Sequence, residues 1–133
     1  MADKPRISQT EWQIMEELWD KAPLSASEIH ERLASKTDCS VQTVRSLLER
    51  LLRKGAASRK KVHGVWVFHA AMERESCLLR ESKSFLERFF DADPVPLFAH
   101  LMANDVLTED DITQLRRILD RRDSEQQGEH EDE

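Results

Sequence analysis

The stretch that decides the fold is residues 40–70, SVQTVRSLLERLLRKGAASRKKVHGVWVFHA. Ser40 has the short side chain of an N-cap, Val41 to Lys54 reads as helix, and Gly55 stands at the C′ position, where glycine is the usual stop. At about 100° per residue, Val41, Val44, Leu47, Leu48, Leu51 and Leu52 share one face. Gln42, Ser46, Arg50 and Arg53 lie on the other, with Thr43 and Arg45 at its flanks. The period then changes from helical to alternating. Ala57–Val62 and Val65–Ala70 are strand-like runs, and His63-Gly64 between them supplies a two-residue hairpin turn. Trp66 falls in the alternation and reads as core.

On the N-terminal side, Ser8-Gln9-Thr10-Glu11 is a capping box. Trp12, Met15 and Trp19 recur after it at helical spacing, widened by Ile14 and Leu18, which predicts a helix over 9–21. Pro23 breaks it. Ser25-Ala26-Ser27-Glu28 is a second capping box, opening a short helix through Ile29, Leu33 and Ala34, and Lys36 to Cys39 is a polar turn. Three helices followed by a hairpin, with basic residues on the third helix and first strand, predict a mostly α chain with a small β-hairpin. This is the winged helix-turn-helix arrangement, over residues 1–71.

Beyond it the pattern is helical again. Met72 to Phe90 carries Leu78, Leu79, Phe85, Leu86, Phe89 and Phe90; residues 91–96 are a break; Leu97, Phe98, Leu101 and Met102 mark a short helix. Thr108 caps a last helix with Asp111 at N3, Leu107 and Ile112 set as a hydrophobic staple, and Ile112, Leu115, Ile118 and Leu119 as its apolar face. These segments are too short and one-sided to close a second core alone. Residues 72–122 therefore read as a helical dimerisation domain, with Leu79, Phe85, Leu86, Phe89, Phe98, Leu101, Ile112, Leu115 and Leu119 meeting a second copy. Packing within one chain is the alternative. Residues 123–133 hold six acidic side chains and no Lys or Arg, and read as a disordered acidic tail.

The formal net charge of −6 resolves by position. The tail carries all of it, so residues 1–122 sum to zero. Within residues 45–61, Arg45, Arg50, Arg53, Lys54, Arg59, Lys60 and Lys61 stand against Glu49 alone, a stripe that attracts phosphates. With 35% charged and 6% aromatic residues, any single core is small, which favours burial against a copy of the chain. No apolar run approaches the roughly 18 residues of a membrane span, and the N-terminus lacks a secretory h-region. The expected location is cytoplasmic, with Cys39 and Cys77 as free thiols. The five histidines, His30, His63, His69, His100 and His130, are scattered and make no nucleophile–base or metal spacing. We therefore expect no enzyme, no cofactor and no metal.

A duplex major groove accepts one helix, whose N-terminal residues reach base edges. Here those are Gln42, Thr43, Arg45 and Ser46. Gln pairs bidentately with adenine, Arg with guanine, and the Thr methyl meets that of thymine. Arg50, Arg53 and Lys54 lie deeper and suit phosphates; pairing of Arg50 and Arg53 with Glu49 is the alternative. Arg59, Lys60 and Lys61 on the first strand are electrostatic anchors of a wing. His63 at the tip reads as a solvent-exposed turn residue that adds a contact when protonated.

The chain resembles the penicillinase and methicillin-resistance repressor family (BlaI/MecI/CopY). The match runs from Ile7-Ser8-Gln9-Thr10-Glu11-Trp12 through Thr43-Val44-Arg45-Ser46-Leu47-Leu48-Glu49-Arg50-Leu51 and Lys54-Gly55 to Lys83-Ser84-Phe85-Leu86 and Asn104-Asp105-Val106-Leu107-Thr108. The resemblance implies a homodimeric repressor on an inverted-repeat operator with TACA/TGTA-type half-sites, its C-terminal helices interlocking the subunits. It also implies a sensor protease as a partner of the resistance members, whose scissile Asn-Phe bond falls on His100-Leu101, where neither residue matches. The copper-responsive members carry Cys-x-Cys motifs, and no cysteine follows Cys77 here. Val41-Gln42 stands where the resistance repressors have Pro-Lys, so an altered preference is expected at the base Gln42 reads. The alternative function is a small-molecule-responsive winged-helix regulator with an apolar pocket at Phe85, Phe89, Phe98 or Met102. A protein-interaction adaptor using the basic face is a third reading.

Overall fold

The computed structural model describes residues 6–131, and the side chains of 6–128. The ends of the N-terminal and acidic segments, 1–5 and 132–133, lie outside the described residues. The order is α1 (Gln9–Lys21), β1 (Leu24–Ser25), α2 (Ala26–Leu33), α3 (Val41–Arg53), β2 (Ala57–Val62), β3 (Val65–Ala70), α4 (Arg74–Phe90), α5 (Pro94–Ala103) and α6 (Glu109–Glu131).

Local chemistry sets the boundaries. Ser8 and Glu11 form a reciprocal capping box at the start of α1, as do Ser25 and Glu28 at α2, each satisfying backbone donors that the helix leaves open. Ser40 Oγ accepts from the Thr43 amide to start α3. Gly55, at φ +77°, ends it in the left-handed conformation that glycine adopts without steric cost. In the hairpin turn, His63 and Gly64 have φ of 49° and 80°, the two positive values of a type I′ turn, whose twist matches the flanking strands.

The sheet is larger than the predicted hairpin. β1 pairs antiparallel with β3, giving the order β1-β3-β2, with Leu24 opposite Phe68. Two residues are too few to show alternation in sequence. They are held because Leu24 and Phe68 both enter the core. That core is formed by Ile14, Met15 and Leu18 of α1, Ile29 and Leu33 of α2, and Val44, Leu47, Leu48 and Leu51 of α3, closed by Ala56, Ala57 and Phe68. Burial of each large aliphatic side chain contributes about 1.5–3 kcal/mol, so Leu48→Ala in the middle of α3 would cost about 2–5 kcal/mol. Glu17, nearly buried, accepts from Arg32 Nε at 2.6 Å, and Arg32 also reaches Asp20 at 2.6 Å, which fixes α2 against α1.

The chain divides into two compact units, Met1–Phe85 and Leu86–Glu133. The first extends past the expected junction at 71/72 because the start of α4 is tied to α1. Trp19 Nε1 donates to the Met72 carbonyl at 2.9 Å, the Ile7 amide donates to Glu81 at 3.1 Å, and Cys77 is buried. Burial pushes the Cys77 thiol's pKa up, which keeps it protonated; Cys39 and Cys77 are both free.

In the second unit two boundaries differ from expectation. The break ends earlier, because Asp93 caps α5 and Pro94 occupies its first turn, where a missing N–H costs nothing. The tail expected to be disordered from 123 continues α6 as helix to Glu131; its Glu and Gln residues are good helix formers. Thr108 and Asp111 cap α6 reciprocally at 2.9 and 3.0 Å. No described side chain of this unit is buried: Phe89 and Leu119 are each 62% exposed, and Leu97, Leu101, Ile112 and Leu115 are only partly covered.

Candidate nucleic-acid interface

Burying Val44, Leu47, Leu48 and Leu51 turns the opposite face of α3 to solvent. Gln42, Thr43, Arg45, Ser46, Arg50 and Arg53 are all exposed there. Only Thr43 among them is held locally, its hydroxyl 3.1 Å from Ser40 Oγ. The other five make no side-chain hydrogen bond or ion pair among the described residues, so their donors and acceptors are open to a ligand. The proposed pairing of Arg50 and Arg53 with Glu49 does not occur. Glu49 instead accepts from Arg59 Nη1 across to the wing, at 2.9 Å.

Lys54 has a different setting from the rest of the basic stripe. Its ammonium lies 2.7 and 2.8 Å from the two carboxylate oxygens of Glu11 and also donates to the Arg6 carbonyl. Glu11 is 2% exposed. Burial raises its pKa, but the Lys54 and Ser8 hydrogen bonds and the Lys54 charge outweigh this, so the carboxyl stays below the ordinary glutamate range. Lys54 is thus ion-paired to a buried carboxylate within the protein. The sequence signal was available, since Glu11 and Lys54 both stand in the quoted motifs, but their meeting depends on how α1 crosses α3.

The pleat divides the three wing cations. Opposed residues of an antiparallel pair lie on the same face. Arg59 faces Phe68 and Lys61 faces Trp66, whereas Lys60 is opposite Val67 on the other face. Trp66, expected in the core, is 43% exposed. Phe68 occupies the core position on that face, and Trp66, two residues nearer the tip, lines an open groove beside α3 rather than the core. Its ring is covered by cations instead: Arg59 Cζ is 4.3 Å from the ring centroid and Lys61 Nζ 5.3 Å. His63 is exposed at the turn. An open groove of about 420 Å³ runs between the start of α2, α3 and the wing, lined by Ser27, Arg45, Glu49, Arg59, Val65 and Trp66 among others. Among the described residues no cluster of His, Cys, Asp or Glu is arranged to hold a metal, and no helix is long and apolar enough to cross a membrane.

A three-helix core that turns the polar face of its last helix outward beside a basic hairpin defines the winged helix-turn-helix class of DNA-binding protein. The comparisons agree. The family model for penicillinase repressors matches residues 7–121. The methicillin resistance regulatory protein MecI of Mammaliicoccus sciuri is 30% identical over 116 residues, covering 87% of this chain and 94% of that protein. A penicillinase repressor of Staphylococcus aureus is 29% identical over 120 residues, covering 90% and 95%. A crystal structure of mutant MarR from E. coli shares the fold at 14% identity, with a TM-score of 0.50 over 86% of this chain and 76% of that one. The chain belongs to the penicillinase repressor family; it is a DNA-binding transcriptional repressor, not an enzyme.

Proposed function

We propose that the protein acts in the cytoplasm as a homodimer that binds an inverted-repeat operator and blocks transcription. The observation that carries this is the outward face of α3, where Gln42, Arg45 and Ser46 stand exposed and uncommitted at the N-terminal end of the helix, the part that reaches base edges. In this reading Gln42, Thr43, Arg45 and Ser46 read bases. Arg50, Arg53, Arg59, Lys60 and Lys61 hold phosphates, and His63 lies at the wing tip. Lys54 is left out, because its charge is spent on Glu11.

The exposed apolar residues of the second unit and of α4 support a second copy as their cover. Leu79 in the first unit is 56% exposed, and Phe98 and Leu119 in the second are 45% and 62% exposed; large apolar side chains left open in this way mark interaction sites when they cluster. The residues assigned to this interface are Leu79, Phe85, Leu86, Phe89, Phe98, Leu101, Ile112, Leu115 and Leu119, within a dimerisation region over 72–122. The relatives' names, regulators of methicillin resistance and repressors of penicillinase, agree with repression as the outcome. His100-Leu101 lies inside α5, so a protease acting at that bond would need the helix to unwind. Footprinting on the DNA upstream of the protein's own gene tests the proposal. Protection of two symmetry-related half-sites supports it, and uniform weak protection of any sequence contradicts it.

A further inference from the structure

Trp66, Arg59 and Glu49 form a linked set that joins the wing to α3, and its role rests on the DNA-binding reading above. Arg59 is held from two sides. Its Nη1 donates to Glu49 on α3 at 2.9 Å, and its guanidinium carbon lies 4.3 Å from the centroid of the Trp66 ring on β3. Lys61, directly opposite Trp66 in the ladder, approaches the same ring at 5.3 Å. A large indole left 43% exposed near the tip of a hairpin does little for the core. It gives two long, rotamer-rich side chains a surface to lie on. Cation–π attraction over tryptophan is the strongest of its kind, and ordering those side chains in advance lowers the entropic cost of their later contacts.

We propose that Trp66 is a positioning residue for the protein–DNA contact. It and Glu49 clamp Arg59, which fixes the wing's separation from the recognition helix and presents Arg59 and Lys61 together on the groove side of the wing. Trp66 acts through the two cations and does not itself bind a base. Glu49 lies on the exposed face of α3 between Arg45 and Arg53. Its carboxylate there, which would otherwise repel a duplex, serves as the fixed end of the clamp.

The test uses the full chain and two readouts. The first is the NMR shift of the Arg59 side-chain Nε–H in the free protein, which the Trp66 ring current displaces upfield. That displacement should disappear in Trp66→Ala and persist in Trp66→Phe. The second is affinity for operator DNA in a double-mutant cycle. Trp66→Ala should weaken binding about three- to tenfold, Trp66→Phe should recover most of it, and Trp66→Ala should add little once Arg59 and Lys61 are both alanine. A full loss on Trp66→Ala in that background would mean that the ring touches DNA directly, and would overturn the proposal; so would unchanged binding in Trp66→Ala. If the wild-type protein prefers no DNA sequence, the operator reading fails. The Arg59 shift then still decides whether the clamp exists. Should the alanine variant unfold, Trp66→Thr removes the ring while keeping a strand-favouring residue.

Discussion

Lys54 Nζ lies 2.7 Å from Glu11 Oε2 and ties the C-terminal cap of the recognition helix to the first turn of α1. The Glu11 side chain is almost wholly buried and that of Lys54 is 22% exposed, so the pair is closer to an internal ion pair than to a surface one. Removing one member leaves the other charge without compensation. Lys54→Met should therefore destabilise the protein by about 3–5 kcal/mol, measured by urea unfolding. A loss below about 1 kcal/mol, the size of an exposed pair, would show that the pair is dispensable.

The same pair predicts an acid-sensitive fold. Glu11 has a lower pKa folded than unfolded. Its contribution is fully present above the unfolded value and is lost as pH falls through the folded one. Stability should drop on acidification below the ordinary glutamate range, and Glu11→Gln should flatten that part of the profile. An unchanged profile in Glu11→Gln would assign the acid sensitivity to other carboxylates.

Arg45 is exposed on the first turns of α3 and makes no ion pair among the described residues. Arg45→Ala should cost about 1–3 kcal/mol on operator DNA and narrow the gap to random DNA. Equal weakening on both would reassign it to a phosphate.

Lys60 lies on the wing face opposite Arg59 and Lys61 and makes no ion pair among the described residues. Lys60→Ala should weaken operator and random DNA about equally and reduce the salt slope by about one. An unchanged slope would mean that this face of the wing points away from the duplex.

Leu115 lies on the apolar side of α6 and is only partly covered. Leu115→Asp should convert the protein to monomers in sedimentation and abolish tight operator binding, because two weak half-site contacts reinforce each other only when linked. A dimer that survives the substitution would place the interface elsewhere.

Most of the DNA-binding unit was legible because its signals are local. The capping serines, Gly55 and the His63-Gly64 turn each fix a boundary from a few neighbouring residues, and the strands fall at the predicted limits. What escaped depends on tertiary placement. β1 is strand only because Phe68 lies beside Leu24. Trp66 alternates like a core residue, but at its level the wing stands off α3 across an open groove and the ring meets Arg59 and Lys61 instead. Lys54 counts as one more positive charge in a stripe until α1 brings Glu11 to it, and Glu49 reads as a neighbour of Arg50 and Arg53 until the wing folds over it. The early start of α5 is the exception, because its signal is local: Asp93-Pro94 is a cap followed by a proline in the first turn.

Fluorescence anisotropy on DNA from upstream of the protein's own gene, against a scrambled duplex at physiological salt, decides whether the protein is an operator-specific dimer. An operator-specific dimer should bind the upstream DNA at least about a thousandfold tighter, saturating at two protomers per duplex. Equal, weak binding to both duplexes, or saturation at one protomer, would contradict it.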